Sequence, residues 1–267
     1  MNILKKFLIF VTVSTCLTAC AKKPTVPEDP YEKYNRAAFN FNIIVDMLIY
    51  RPPAVLYDHV APTAVKTGVS NFFTNLDSVV SIPNDVFQGK INYTLIDITR
   101  FLVNTTIGIG GLFDVATRLD LPKHSNNFGN TLAFYSDNKK SPYLILPFLG
   151  PFTVRDAFSL PVDSATYIPT YLNPEAVTWS LYGLDLLNIR TILLPTDKLI
   201  AAAFDPYAFE RDAFLQKRNQ SVQKALTEGD YKYDRNQYLK DQQEDYQNKY
   251  IAYMKQLKKQ QAKEPRV

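Results

Sequence analysis

The sequence predicts an all-α protein, because its central part is a series of helical patterns separated by prolines. In residues 91–107, apolar side chains recur at helical spacing and fall on one face at 100° per residue. Residues 177–189 are apolar on nearly every face. Such a helix is typical of a protein core or of a surface that contacts lipid, and both readings stay open.

Prolines mark most of the predicted element boundaries, since proline starts helices readily and interrupts their interiors. Pro52 and Pro53 are expected to end the first helix. The apolar stretch 143–152 is broken by Pro147 and Gly150 and suits a tight loop or a short extended segment. The predicted helices are 31–50, 62–75, 78–88, 91–107, 110–119, 153–168, 174–191 and 205–226.

The first 19 residues predict a lipoprotein signal peptide. Lys5 and Lys6 precede an uncharged, mostly apolar run over 7–19, which is too short to span a bilayer. The sequence Leu17-Thr18-Ala19-Cys20 resembles a lipobox, so we expect cleavage before Cys20 and acyl chains on that cysteine. The alternatives are an ordinary secretory signal with a chance cysteine or an uncleaved anchor.

Four regions follow from the composition. Residues 1–19 are the predicted signal peptide, 20–29 a polar tether, 30–216 a helical body and 217–267 a polar helical or partly disordered tail with 12 basic and 7 acidic residues. The chain's net charge of +4 is too small to favour nucleic acid as a partner. Cleavage leaves one cysteine, so the mature chain can form no disulfide and no cysteine metal site.

The polar face of the predicted helix 91–107 is the main candidate site. Asp97 and Arg100 stand three residues apart on the face opposite the apolar side chains, and Tyr93 and Asn104 share it. The face is either the solvated side of a surface helix or a polar channel wall for phospholipid headgroups. The apolar face would then contact acyl chains or the core.

Several segments, in order over residues 29 to about 212, resemble the VacJ/MlaA family of outer-membrane lipoproteins. The segments are Asp29-Pro30-Tyr31-Glu32-Lys33-Tyr34-Asn35-Arg36, Phe39-Asn40-Phe41-Asn42, Ser70-Asn71-Phe72-Phe73-Thr74-Asn75-Leu76, the run from Arg100 to Ala116, Phe128-Gly129-Asn130-Thr131-Leu132 and the run from Leu146 to Asp156. The resemblance implies a ring-like helical body embedded in the outer membrane, enclosing an amphipathic channel and lipid-anchored from the periplasmic side. The implied task is removal of mislocalised phospholipids from the outer leaflet. The implied partners are a trimeric porin and a periplasmic phospholipid carrier.

Three glycines, Gly108, Gly110 and Gly111, interrupt the helical pattern. The resemblance implies that they form either a hinge or a close approach of two backbone segments. Arg155 and Asp156 are either a structural ion pair or an acidic residue placed favourably at a helix N-terminus.

Catalytic and metal-binding residues are not predicted. The only histidines, His59 and His124, are expected at the surface or as caps, and the hydrolase motif Gly-x-Ser-x-Gly is absent. We therefore predict a non-enzymatic lipid-transport protein without a cofactor, with phospholipid as the transported ligand. A structural anchor for porins or envelope complexes is the first alternative, and a lipid hydrolase is the second.

Overall fold

The computed structural model describes residues 26–137, 139–227, 229–231, 243, 247 and 254–255. Within them the protein is mainly α-helical with one two-stranded sheet, which confirms the predicted fold class. One compact unit ends at Asp230, and a second unit starts at Tyr231. The predicted signal peptide, Cys20 and most of the predicted tail lie outside the described residues.

The first half consists of helices joined by short turns. They are α1 (Glu32–Val45), a π-helical turn (Asp46–Tyr50), α2 (Arg51–Val60), α3 (Thr63–Phe87) and α4 (Ile91–Thr106). The prediction that Pro52 and Pro53 end a helix is wrong, because both lie in the first turn of α2, where no amide donor is needed. The two helices predicted over 62–75 and 78–88 are the single helix α3, with Pro83 in its interior.

The second half contains the only strands among the described residues. Its elements are α5 (Val115–Arg118), α6 (Phe128–Tyr135), β1 (Tyr143–Leu146), β2 (Gly150–Thr153), α7 (Val154–Thr166), a 3-10 turn (Ile168–Tyr171), α8 (Glu175–Leu193), a 3-10 turn (Leu194–Thr196), α9 (Asp197–Ala202) and α10 (Pro206–Thr227). The strands pair antiparallel, with Tyr143 opposite Thr153. The short extended segment predicted at 143–152 is this hairpin.

The hairpin is fixed to the N-terminal helix by two asparagines, Asn35 and Asn42. Asn35 of α1 donates its amide to the Tyr143 carbonyl at 3.1 Å and accepts the Ile145 amide at 2.9 Å. Tyr143 and Ile145 then pack in a small apolar core with side chains of α1 and α10, namely Ala38, Phe39, Tyr207 and Leu215. The two ends of the compact unit therefore meet on β1.

The structured body begins before residue 30. Asp29, predicted to end a free tether, is fully buried and accepts a hydrogen bond from Asn35 at 2.8 Å. Tyr207 also donates to Asp29, and Arg211 lies 3.4 Å from it. At the other end, α10 runs without a break across the boundary placed between residues 216 and 217. Packed residues therefore extend beyond both predicted boundaries, and the division into four regions stays a prediction.

The distribution of polarity is inverted relative to a water-soluble protein. Among the described residues, buried polar and charged side chains outnumber buried hydrophobic ones. Large apolar side chains lie on the surface instead, for example Leu48 at 73% and Trp179 at 71% exposure. Scattered exposed apolar side chains are normal, whereas contiguous ones mark an interaction surface. No described helix is both long enough and apolar enough to cross a membrane.

Candidate functional site

The outer face of α4 is apolar and uncovered. Ile91, Leu95 and Leu102 are 53%, 57% and 55% exposed, and Ile98 on the same face is 37% exposed. The apolar surface continues past the end of the helix at Ile107. Burying these side chains in an apolar medium would stabilise the protein by roughly 1.5–3 kcal/mol each at full burial. Of the two surroundings that the sequence left open for this face, the core is excluded by its exposure, and contact with acyl chains stays a prediction.

The inner face of α4 carries the predicted site residues and is buried. Tyr93, Asp97, Arg100 and Asn104 are 6%, 0%, 2% and 5% exposed. They are therefore not the solvated side of a surface helix. They also line neither of the two large cavities described below, and their assignment to a channel wall stays a prediction. The four residues form a polar network in the protein interior.

Arg100 and Asn104 hold the segment that follows α4. Arg100 lies 3.0 Å from the Asp114 carboxylate and donates to the Leu121 carbonyl at 2.6 Å. Asn104 donates to Asp114 at 3.2 Å and accepts the Ala116 amide at 2.8 Å. Asp114 in turn caps α5 by accepting the Thr117 amide at 3.1 Å. The buried cation is thus paired and hydrogen-bonded, as a buried charge must be.

Asp97 and Asp85 place two carboxyl groups together in the interior. Burial raises the pKa of Asp97, and the neighbouring Asp85 raises it further, so Asp97 retains its proton at neutral pH. Asp85 is bonded by His124 at 3.0 Å and by the Asn126 amide at 2.8 Å. His124 also stacks on Tyr93 with ring centroids 4.0 Å apart. The network therefore joins α3, α4 and the segment that precedes α6.

The two histidines differ in their surroundings. His59 is exposed and bonded to the Val55 carbonyl within its own helix, which confirms the predicted surface position. The same prediction is wrong for His124, which is buried against Asp85. Among the described ranges, no cluster of three or more His, Cys, Asp or Glu could hold a metal ion.

The glycine segment after α4 forms a tightly packed turn. Gly110 and Gly111 have φ values of 68° and 93°, which strain other residues. A Cβ on Gly108 would lie 2.2 Å from the Phe113 carbonyl oxygen, and one on Gly111 would lie 2.8 Å from Asn75. The predicted helix break with a close backbone approach is confirmed, and a hinge motion stays a prediction. The helix predicted over 110–119 is reduced to α5 for the same reason.

A small polar cavity lies beneath this turn. Its volume is about 10 Å³, roughly the room that one water molecule needs. It is far too small for a lipid headgroup. Its lining consists of polar side chains from α3, α4 and the following turn, namely Asn71, Thr74, Asn75, Ser78, Arg100, Asn104 and Asp114.

Arg155 and Asp156 do not pair with each other. Asp156 pairs with Arg218 of α10 at 2.5 Å and exchanges hydrogen bonds with Thr153, the N-cap of α7. Arg155 donates to the Lys139 carbonyl at 3.2 Å. The alternative reading, an acidic residue in the first turn of a helix, is the one that the structure confirms. The ion pair between Arg155 and Asp156 was mispredicted, because the cation that pairs with Asp156 is 62 residues away in the sequence.

Two larger cavities, which sequence reasoning missed, lie on either side of Ser125. The basic cavity has a volume of about 410 Å³ and is lined by Lys123, His124, Ser125, Lys217, Gln220, Ser221, Lys224 and Ala225. The acidic cavity has a volume of about 300 Å³ and is lined by Asp77, Val80, Ser125, Asn126, Asn127, Asp163, Ser164, Tyr167 and Tyr182. Their residues come from distant parts of the chain, so no local motif could reveal them.

A buried polar interior beneath exposed apolar helix faces is typical of an α-helical protein that contacts a membrane. The chain belongs to the MlaA lipoprotein family, whose model matches residues 27–221. This match confirms the resemblance drawn from the sequence.

Named relatives and a solved structure agree with this assignment. The chain is 35% identical over 216 residues to the "Intermembrane phospholipid transport system lipoprotein MlaA" of Escherichia coli K12, which covers 77% of this chain and 84% of the relative. It is 36% identical over 197 residues to an uncharacterized protein of Rickettsia felis, covering 73% and 78%. A solved structure reported as "Structural basis for maintenance of bacterial outer membrane lipid asymmetry" matches with a TM-score of 0.61 and 34% identity. That match covers 73% of this chain and 98% of the solved one.

Proposed function

We propose that this protein is a lipid-anchored outer-membrane lipoprotein that maintains lipid asymmetry. It removes mislocalised phospholipids from the outer leaflet and passes them to a periplasmic carrier. The body lies in the bilayer as a ring of helices around an amphipathic path, with a trimeric porin beside it. Acyl chains on Cys20 hold the mature chain on the periplasmic side.

The observation that carries this proposal is the inverted polarity of α4. Its apolar side chains point outward, and its polar residues are buried inside the protein. Arg100 pairs there with Asp114 and bonds the Leu121 carbonyl, and burial raises the pKa of Asp97, which favours its neutral form. Exposed apolar side chains are unfavourable in water, and exposed charges are unfavourable in hydrocarbon. A protein that contacts acyl chains while guiding polar headgroups needs both features.

The relatives support the same task. Proteins from Escherichia coli and Shigella flexneri that are each 35% identical to this chain carry the name of an intermembrane phospholipid transport lipoprotein. Each alignment covers 84% of the relative, so it includes most of the transport protein. A phospholipid that moves laterally into such a protein does not need to bring an unshielded headgroup through hydrocarbon.

The transport proceeds without covalent chemistry. A lipid hydrolase is distinguished by its products, because purified protein incubated with phospholipid vesicles would then release lysophospholipid or free fatty acid. We expect neither product above the level of protein-free vesicles.

Outer-leaflet phospholipid content in cells is the measurement that tests this function. Cells that lack the protein should show more surface-accessible phospholipid and greater detergent sensitivity, and wild type should reverse both. Cys20→Ala should fail to reverse them, because the protein then lacks its anchor. Unchanged surface phospholipid in the deletion strain would contradict the proposal.

A tail deletion separates transport from tethering. Asp230 accepts the backbone amides of Asn92 and Tyr93 at 2.9 and 3.1 Å and so caps α4. The deletion should therefore remove only residues 231–267 and keep this cap. Transport by the body predicts nearly full complementation by the truncated chain. Complete loss of complementation would favour the structural-anchor alternative.

A further inference from the structure

The basic and acidic cavities lie next to each other, so groups of opposite charge line neighbouring spaces. Ser125 lines both cavities. Lys123 lies on the basic side, and Asp77 lies on the acidic side. We propose that the two cavities together bind the headgroup of a zwitterionic phospholipid, with its phosphate on the lysine side and its primary ammonium on the aspartate side. This inference rests on the proposed transport function and specifies which headgroups the chain recognises.

The rim that the two cavities share is anchored to the protein interior, as a binding site requires. Asn126 donates its backbone amide to Ser81 at 2.9 Å, and Ser81 returns a bond to the Asn126 carbonyl at 3.2 Å. The Asn126 side chain is held between Asp85 at 2.8 Å and Gln88 at 3.2 Å. The exposed Ser125 therefore follows directly on the anchored part of the chain, and a headgroup can lie over it and reach both cavities.

The lysine side offers donors for a phosphate. Lys123 and Lys217 are exposed and carry ammonium groups into the basic cavity. The hydroxyl groups of Ser125 and Ser221 and the amide of Gln220 line the same space. An ammonium group attracts phosphate oxygens by its charge, and hydroxyl groups donate hydrogen bonds to them. No acidic side chain lines this cavity.

The aspartate side offers acceptors for an ammonium group. Asp77 contacts solvent in the cavity, and none of the ion pairs of the described residues includes it. Protein around it raises the pKa of Asp77 to about 6, and Lys123 acts in the opposite direction. The carboxylate therefore gains from a cation that enters the cavity.

A buried tyrosine lies on the same side. Tyr167 lines the acidic cavity and is 9% exposed. Burial raises the pKa of Tyr167, and the neighbouring Asp185 and Asp77 carboxyl groups raise it further. Two carboxyl groups therefore lie near this hydroxyl group, and a cation that enters the cavity would be attracted to both.

Isothermal titration of the full-length acylated protein with soluble headgroups tests the inference. The probes are glycerophosphoethanolamine, glycerophosphoglycerol and inorganic phosphate. We expect glycerophosphoethanolamine to bind at least tenfold more tightly than the other two. Asp77→Asn should remove that advantage and leave inorganic phosphate binding unchanged, whereas Lys217→Gln should weaken all three probes at least threefold.

Matched controls keep the result interpretable. Glu175→Gln and Lys198→Gln change exposed charges outside both cavities and should leave all three affinities unchanged. Equal binding of the two glycerophospho probes to wild type would overturn the inference. So would tightest binding of inorganic phosphate, which would identify a free-anion site. A cell assay in which the protein restores lipid asymmetry, together with equal probe binding, would refute headgroup recognition and leave the proposed function standing.

Discussion

Asp97 shows how one buried side chain links pH to stability. Its pKa is raised by burial and by Asp85, so the folded chain keeps this proton where the unfolded chain has lost it. The unfolded carboxyl ionises near pH 4, and above that pH the unfolded state binds fewer protons. Stability contributed by the protonated group is therefore present at low pH and is lost as the pH rises above about 4.

Replacing Asp97 with Asn should remove this pH dependence. The stability difference between Asp97→Asn and wild type should increase in favour of the variant by up to about 1.4 kcal/mol per pH unit from pH 4 upward. Thermal unfolding in detergent between pH 4 and pH 8 measures it. Asp137→Asn, at an exposed position, is the control. Parallel stability curves for Asp97→Asn and wild type would show that Asp97 is ionised in the fold.

The ion pairs contribute different amounts to the free energy of unfolding, depending on how deeply they are buried. Arg218 and Asp156 are 10% and 13% exposed, and Arg218 also bonds Asn130. Arg218→Gln leaves Asp156 without its cation and should cost about 3–5 kcal/mol. Lys66 and Asp58 are 27% and 45% exposed at 2.7 Å. Lys66→Gln should cost much less, because water screens this exposed pair. Denaturant titration of both variants checks this, and equal losses would contradict the assigned role of Arg218.

At the scale of elements, the turn after α4 distinguishes packing from conformational strain. A Cβ at Gly108 would meet two backbone oxygens, whereas one at Gly110 would meet nothing within 4 Å. Gly108→Ala should therefore destabilise the fold by about 2–3 kcal/mol through overpacking. Gly110→Ala should cost about 1 kcal/mol, because only its φ of 68° is strained. Thermal melts compare the two variants, and a larger loss for Gly110→Ala would refute the packing described here.

The helices were predictable where one pattern dominated. The helices predicted over 91–107 and 205–226 are α4 (Ile91–Thr106) and α10 (Pro206–Thr227), and each predicted end lies within two residues of the observed one. Pro52 and Pro53 were misread, because whether a proline ends a helix depends on its position within the turn and on tertiary packing. Pro83 lies inside α3, where Val80 and Asp85 on either side are buried by other elements. Helix α6 was not predicted at all.

The site was predictable only in part, and for a related reason. Helical periodicity correctly grouped Tyr93, Asp97 and Arg100 on one face of α4. It could not decide whether that face meets water, lipid or protein, because amphipathic patterns look the same in all three cases. The decisive partners, such as Asp85 and Asp114, come from other elements and are brought together only by the fold.

At the scale of the whole molecule, the account depends on what surrounds the exposed apolar faces. Exposed side chains such as Leu95, Leu102 and Trp179 would be an aggregation hazard in water and are favourable against acyl chains. The polar interior is consistent with the second environment, because Arg100 is buried and paired with Asp114 inside the protein. The compact unit ends at Asp230, so the apolar faces belong to the family-matched body and not to residues after it.

The most direct test is the depth of the α4 outer face in a bilayer. The proposed cleavage before Cys20 would leave it as the only cysteine, so a fluorescent label can be attached to Leu95→Cys or Leu102→Cys alone once Cys20 is acylated. Lys198→Cys, at an exposed polar position, serves as the reference. In proteoliposomes, the account predicts that nitroxides on lipid acyl chains quench the α4 labels strongly and that aqueous iodide does not. Iodide quenching of the α4 labels equal to that at position 198 would show that this face meets water and would contradict the account.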